Sequence, residues 1–300
     1  MPIHCPAHPL ARLLALLLLL ATIAAQAWEV TDDTGHMTTF EHAPQRVVSL
    51  LPSATEAVCA LDACEQLVGV DRYSDWPPEV RDVPRVGGVV DPVVEAIVAL
   101  QPDLVLMATT GGEARLRALG LKVLAFNPSG YAGAHSVIRR IAAALRVDGA
   151  DALLARIDDE VQAVADALPP QVRGRRVYFE FSPGPYAASS ESFVGELMAR
   201  LGLENIVGPG MGAFPKINPE LVVRAQPDLI LISFDSAAEM HGRPGWARLH
   251  ALQRGHVCIL NASERELLTR AGPRIPEAVQ RIADCVLEHL ALEGSTQAQQ

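Results

Sequence analysis

Two stretches of this chain spell nearly the same fourteen residues: EAIVALQPDLVLMA from Glu95 to Ala108, and ELVVRAQPDLILIS from Glu220 to Ser233. Each reads as a helix with one apolar face that stops at Gln-Pro-Asp and passes directly into a short apolar strand. Proline cannot continue a helix and aspartate favours a turn, so Gln101-Pro102-Asp103 and Gln226-Pro227-Asp228 read as punctuation between helix and strand. A chain that repeats this passage is constrained to fold as two like α/β units. Its 300 residues are enough for two, and with 49 % apolar and 20 % charged residues each unit has material for a core.

The alternation continues on either side of the repeats. RVVSLLPS, LVGV, DLVLMA and LKVLAF read as strands in the first half, with ATEAVCALDACEQL, VVEAIVALQ and EARLRALG as helices between them. Residues 134–170 carry no strand signal: apolar positions recur at helical spacing on both sides of Asp148-Gly149, so a helix, a turn and a long second helix are expected there. Strand and helix signals resume with RRVYFEFS, the second copy, HVCILN and the terminal helix PEAVQRIADCVLEHLALE. Short apolar strands separated by helices make parallel sheets covered on both faces. The expected fold is therefore α/β, with two similar lobes (28–133 and 171–292) around parallel sheets flanked by helices, and a helical connection (134–170). The tail 293–300 reads as disordered.

The first 27 residues carry Arg12, an apolar run from Leu13 to Ala25 and the small-residue pattern Ala25-Gln26-Ala27, which read as a cleaved signal peptide (1–27). That run is too short to span a bilayer. The formal charge of −10, with no basic stripe, argues against nucleic acid as a partner. An oxidising compartment permits Cys258, in a strand, and Cys285, in the last helix, to pair, although two buried thiols fit the sequence equally well. Cys59 and Cys64 both fall in one predicted helix, where a bridge has poor geometry.

Glu95 and Glu220 each lie six residues before their Gln-Pro-Asp, in the first turn of their helices. A glutamate there complements the helix dipole, worth about 0.3–1 kcal/mol. RVVSLLPSATEAVCAL, VGVDRYSDWPPEV, PRVGGVVDPVVEAIVALQPDLVLM and GPRIPEAV also resemble the helical-backbone class of periplasmic binding proteins that serve ABC importers, and among them the cobalamin-binding members most. The likeness runs from about Arg46 to Leu290 in the class's order. It implies two lobes joined by one long backbone helix, a ligand cleft between them, a monomer working in the periplasm without a cofactor, and one exposed glutamate per lobe docking on a permease dimer. By position those glutamates are Glu95 and Glu220.

Aromatic residues are 5 % of the chain, and several fall on loops: Tyr73, Trp76, Tyr186, Phe214 and Trp246. Such rings either plug the lobe surface or contact a broad, flat ligand. The resemblance places Tyr73, Trp76, Tyr186 and Phe214 at corrinoid-contacting positions, with Arg270 a polar contact. The loops VVDP and MATTGG and the stretch LLTRAGPRI lack aromatics that cobalamin-binding members carry, and the partner cysteine that such a protein bonds to its terminal helix, near Cys285, has no counterpart. Haem, held by Tyr73 or Tyr186, and a ferric siderophore, held by Arg72, Arg270 and Arg274, are the alternatives. A bare metal ion lacks its usual ligands, since no histidine lies between Ala43 and Ala134. The chain has no G-x-S-x-G, Walker or H-E-x-x-H motif, so the expectation is no enzyme; a hydrolase using Ser53 or Ser189 and a sensor subunit of the same fold are more remote readings.

Overall fold

The structure is a computed structural model that describes residues 27–290; the expected leader up to Gln26 and the tail 293–300 lie outside the described residues. A hairpin, β1 (Trp28–Thr31) and β2 (Met37–Phe40), comes first. Then follow β3 (Val47–Ser49), α1 (Pro52–Ala60), β4 (Leu67–Val70), α2 (Val94–Ala99), β5 (Leu104–Ala108), α3 (Glu113–Ala118) and β6 (Val123–Phe126). The strands β3 to β6 form a parallel sheet in the order β4-β3-β5-β6.

Two helices, α4 (Gly130–Leu145) and α5 (Ala150–Ala167), make the connection, with a left-handed residue at Arg146 and another at Gly149, φ +99°, allowing the chain to turn between them. The second lobe contains β7 (Arg176–Ser182), β8 (Tyr186–Ala187), α6 (Phe193–Arg200), β9 (Glu204–Asn205), α7 (Pro219–Ala225), β10 (Leu229–Ser233), α8 (Phe234–Met240), α9 (His250–Arg254), β11 (Val257–Leu260), α10 (Ala262–Thr269) and α11 (Ile275–Leu290). Here β9, β7, β10 and β11 lie side by side and parallel, while β8 pairs antiparallel with the far end of β7. The order β9-β7-β10-β11 repeats β4-β3-β5-β6, which gives the sequence repeat a spatial counterpart.

The repeated tripeptides do the same work in both lobes. Gln101 and Gln226 adopt left-handed φ of +47° and +46° and end their helices. The Asp103 carboxylate accepts from the backbone N–H of Gln45 and Arg46 at 2.8 and 3.0 Å, just ahead of β3. Asp228 accepts from the N–H of Arg176, at the start of β7, at 2.8 Å, and from the Arg175 guanidinium at 3.2 Å. Each aspartate thus ties its own strand to the strand beside it and satisfies amides that begin a parallel ladder.

Burial on both faces explains why the strands are apolar runs rather than alternating ones. Along β3 and β5, Val47, Leu104 and Leu106 join a core that continues through Ile138, Ile141, Leu154 and Ile157 of the connection to Val177, Phe179 and Leu231. Val48, Val105 and Met107 point the other way, into a smaller cluster with Ile97. Because one core passes from lobe to lobe through α4 and α5, the connection is packed on both sides.

Cys258 and Cys285 are bonded, joining β11 to α11 across 27 residues. Cys59 and Cys64 are bonded as well, contrary to the expectation from sequence. The reason is that α1 ends at Ala60 and Cys64 opens a separate 3₁₀ turn, so no straight helix separates the two. Closing the longer loop restricts the unfolded chain by about 3–4 kcal/mol, and the shorter one by about 2 kcal/mol. Cys285→Ser is accordingly expected to lose about 3–4 kcal/mol in equilibrium urea unfolding, more than Cys64→Ser.

Candidate ligand-binding cleft

The carboxyl ends of the parallel strands bring loops from both lobes to one cavity of about 330 Å³. The first lobe supplies Leu51, Pro52 and Ser53 after β3, and Asn127 to Gly130 after β6. The second supplies Glu191 and Phe193 at the start of α6, Phe214, and Thr269 to Ala271 at the end of α10. Phe214 is braced by Phe181 at the end of β7, with ring centroids 5.2 Å apart, yet remains 38 % exposed.

Tyr73 and Trp76 ride on a loop that is held from beneath. The buried Asp71 carboxylate accepts from the Tyr73 N–H at 2.7 Å and from the Ser74 hydroxyl, and Ser74 Oγ lies 2.8 Å from Thr55 Oγ on α1. Arg85 donates to the carbonyls of Asp71 and Ser74. Burial raises the Asp71 carboxyl above the usual carboxylate range in spite of these donors. Above this base Tyr73 is 51 % and Trp76 37 % exposed.

Neither ring lines the 330 Å³ cavity itself. Trp76 borders a second cavity of about 260 Å³, with Glu56, Pro77, Leu153 and Arg156, and the Arg274 guanidinium lies 4.3 Å from its ring centroid. Tyr186, on β8 at the sheet edge, is also well exposed and lies outside both linings. Trp246 departs from the expectation altogether. It is fully buried, edge-on to Tyr178 at 5.9 Å and under the Arg243 guanidinium, so its ring fills the second lobe's core and has no face for a ligand. Ser189 is fully buried too, and its Oγ accepts from the Glu191 N–H at 3.1 Å as a turn cap.

A family model described as periplasmic binding protein matches residues 47–264, which takes in both lobes and the connection. The chain belongs to this family. The binding protein is 26 % identical over 270 residues to an uncharacterised ABC transporter substrate-binding lipoprotein, YvrC, of Bacillus subtilis, covering 86 % of this chain and 84 % of that one. It is 29 % identical over 272 residues to the cobalamin-binding protein of Halobacterium salinarum, covering 84 % and 72 %. Among solved structures, the periplasmic haem-binding protein BhuT in complex with two haems superposes with a TM-score of 0.69 at 26 % identity, covering 80 % of this chain and 98 % of that one.

Two features of the binding protein's site were not anticipated from sequence. Arg270 lines the cleft, but its guanidinium is engaged by the protein: it donates to Glu56 at 3.2 Å, Asp75 at 2.9 Å, the Tyr73 carbonyl at 2.9 Å, and Glu266. Glu56, a buried carboxyl inside the apolar turn of α1, was not singled out; a charged residue among Ala54, Ala57 and Val58 was the available signal. Glu95 and Glu220 are exposed in the first turns of α2 and α7 and have no side-chain partner among the described residues.

Proposed function

We propose that this binding protein captures a corrinoid between its lobes in the periplasm, after loss of residues 1–27, and delivers it as a monomer to an ABC importer permease through Glu95 and Glu220, with no chemistry on the ligand. The observation that carries the reading is a group of exposed rings, Tyr73, Trp76, Tyr186 and Phe214, joined by Phe234 at the start of α8, in a chain so poor in aromatics. Large ring side chains left one-third or more exposed on loops and at a sheet edge are surface open to a partner, and flat rings suit a broad macrocycle. The cobalamin-binding relative supports the choice of ligand, and the substrate-binding lipoprotein supports the delivery step.

Haem is the second reading, favoured by the exposed phenols of Tyr73 and Tyr186, either of which has an oxygen for iron, and by the likeness to BhuT. An anionic siderophore has less support. Arg270 is committed to protein acceptors, Arg274 is paired with Glu277 at 3.0 Å, and Arg72 with Asp91 at 2.6 Å.

Calorimetric titration of the purified protein with cyanocobalamin, haemin and a ferric siderophore separates these readings. One-to-one submicromolar binding of cyanocobalamin is expected, weakened roughly 10- to 100-fold by Phe214→Ala, since a ring packed at the centre of a contact is worth about 1–3 kcal/mol. No heat with cyanocobalamin and tight binding of haemin would replace the first reading by the second.

A further inference from the structure

A guanidinium has five N–H donors. In Arg270 four are directed at Glu56, Asp75, the Tyr73 carbonyl and Glu266, so only Nε–H is left for any ligand. Glu56, Tyr73 and Asp75 belong to the first lobe, whereas Arg270 and Glu266 belong to the second, so the side chain spans the interlobe boundary. Next to it the backbone also closes up: a β-carbon at Gly272 would stand 3.1 Å from Cβ of Ser53. Arg274 over Trp76 makes a third crossing within five residues.

We propose that Glu56 and Arg270 are positioning residues, an interlobe clasp that holds the Tyr73–Trp76 loop against the second lobe and loosens when Glu56 is ionised. Its bearing on transport rests on the binding reading above, since that loop is taken as part of the ligand's seat. Geometry sets the sign. Only one Glu56 oxygen meets Arg270; the other, Oε2, is buried without a hydrogen-bond partner. A carboxylate with one oxygen unpaired in a dry site is costly, and a neutral acid is much less so.

The charged groups around Glu56 come from several elements: Glu266 from α10 and Arg270 just after it, Arg274 just before α11 and Glu277 in its first turn, Asp75 from the loop with Asp71, which shares the field of Arg270, and Arg156 from α5. Burial outweighs the attraction of Arg270 and Arg274, and Glu277 adds to it, so the Glu56 carboxyl is pushed up to about 7. When the clasp opens, water reaches the carboxyl and it returns toward the ordinary range near 4.5. The closed form therefore binds the proton more tightly than the open form. Acid favours closure, and raising the pH from 6 to 8 multiplies the opening constant by about tenfold.

Hydrogen exchange on the ligand-free protein, corrected for intrinsic rates, tests this without depending on the ligand. Amides of residues 72–76 and 270–274 are expected to lose about tenfold in protection between pH 6 and pH 8, while those of β5 do not change. Glu56→Gln, which keeps the shape and the neutral state, should remove the pH dependence, and this separates Glu56 from the nearby buried Asp71. Arg270→Ala should deprotect both segments at each pH, with Arg270→Lys recovering part of the loss. Equal protection at pH 6 and 8 in the wild type, an unchanged pH dependence in Glu56→Gln, or unaltered protection in Arg270→Ala would each overturn the clasp. Failure of the corrinoid reading would show instead as silence in the cyanocobalamin titration, with the exchange pattern intact.

Discussion

The double variant Glu95→Lys, Glu220→Lys is expected to bind its ligand as the wild type does and to lose stimulation of the importer's ATP hydrolysis. Both side chains are exposed and without partners among the described residues, so replacing them removes no internal contact. Losing the helix-dipole interaction costs about 0.3–1 kcal/mol at each site, too little to unfold the protein. Charge pairs across an interface couple by about 1.5–7 kcal/mol where they are close, and reversal turns attraction into repulsion at both ends of the docking face. The repeated geometry supports a paired role: each glutamate sits in the first turn of the helix leading through Gln-Pro-Asp into the second strand of its sheet's core, β5 or β10. Two like lobes so built can present one acid to each half of a two-fold symmetric partner. The measurement is ATP hydrolysis by the reconstituted importer with and without loaded binding protein. Full stimulation by the double variant would reduce both glutamates to helix-dipole partners.

What could be read from the sequence was whatever depends on neighbours close in the chain. The strands of both sheets, other than the two-residue β8 and β9, were legible because burial on two faces leaves runs such as LVLMA and LILIS, and the helical connection because its apolar spacing holds on both sides of Gly149. The hairpin β1–β2 was not, since its alternation lasts four residues and its seat depends on Asp32, whose carboxylate accepts from the N–H of Ala125 at 3.0 Å. Glu56 looked like an ordinary helix glutamate because its partner, Arg270, lies 214 residues away. Trp246 sits in GRPGWARL, a stretch with every mark of a loop, but the loop folds inward and buries its ring under Arg243. Loop aromatics divide into exposed rings and core by tertiary packing, which local sequence does not report.

The same buried region predicts the largest change in stability. Glu180 is fully buried on β7, and Arg243 spans it with both Nη atoms, one at 2.8 Å from Oε1 and the other on Oε2; the Tyr178 hydroxyl donates to Oε2 at 2.8 Å. Arg243→Met keeps an aliphatic stem over Trp246 but leaves the Glu180 carboxylate in the interior without its cation. Removing one partner of such a pair costs about 3–5 kcal/mol, much of it the desolvation of the charge left behind. Adding Glu180→Gln, which stays able to accept from Tyr178, is expected to restore at least half of that loss, because the neutral amide carries no buried charge. Urea unfolding of the two variants gives both numbers, and a loss below about 1 kcal/mol in Arg243→Met would show that water reaches Glu180 when the arginine is gone. The site should feel the change as well. Glu180 precedes Phe181, whose ring braces Phe214 at the cleft, so a loosened β7 end is expected to weaken ligand binding in Arg243→Met and to recover with Glu180→Gln. Binding that stays at the wild-type level in Arg243→Met would mean that Phe181 holds its place without the ion pair beneath it.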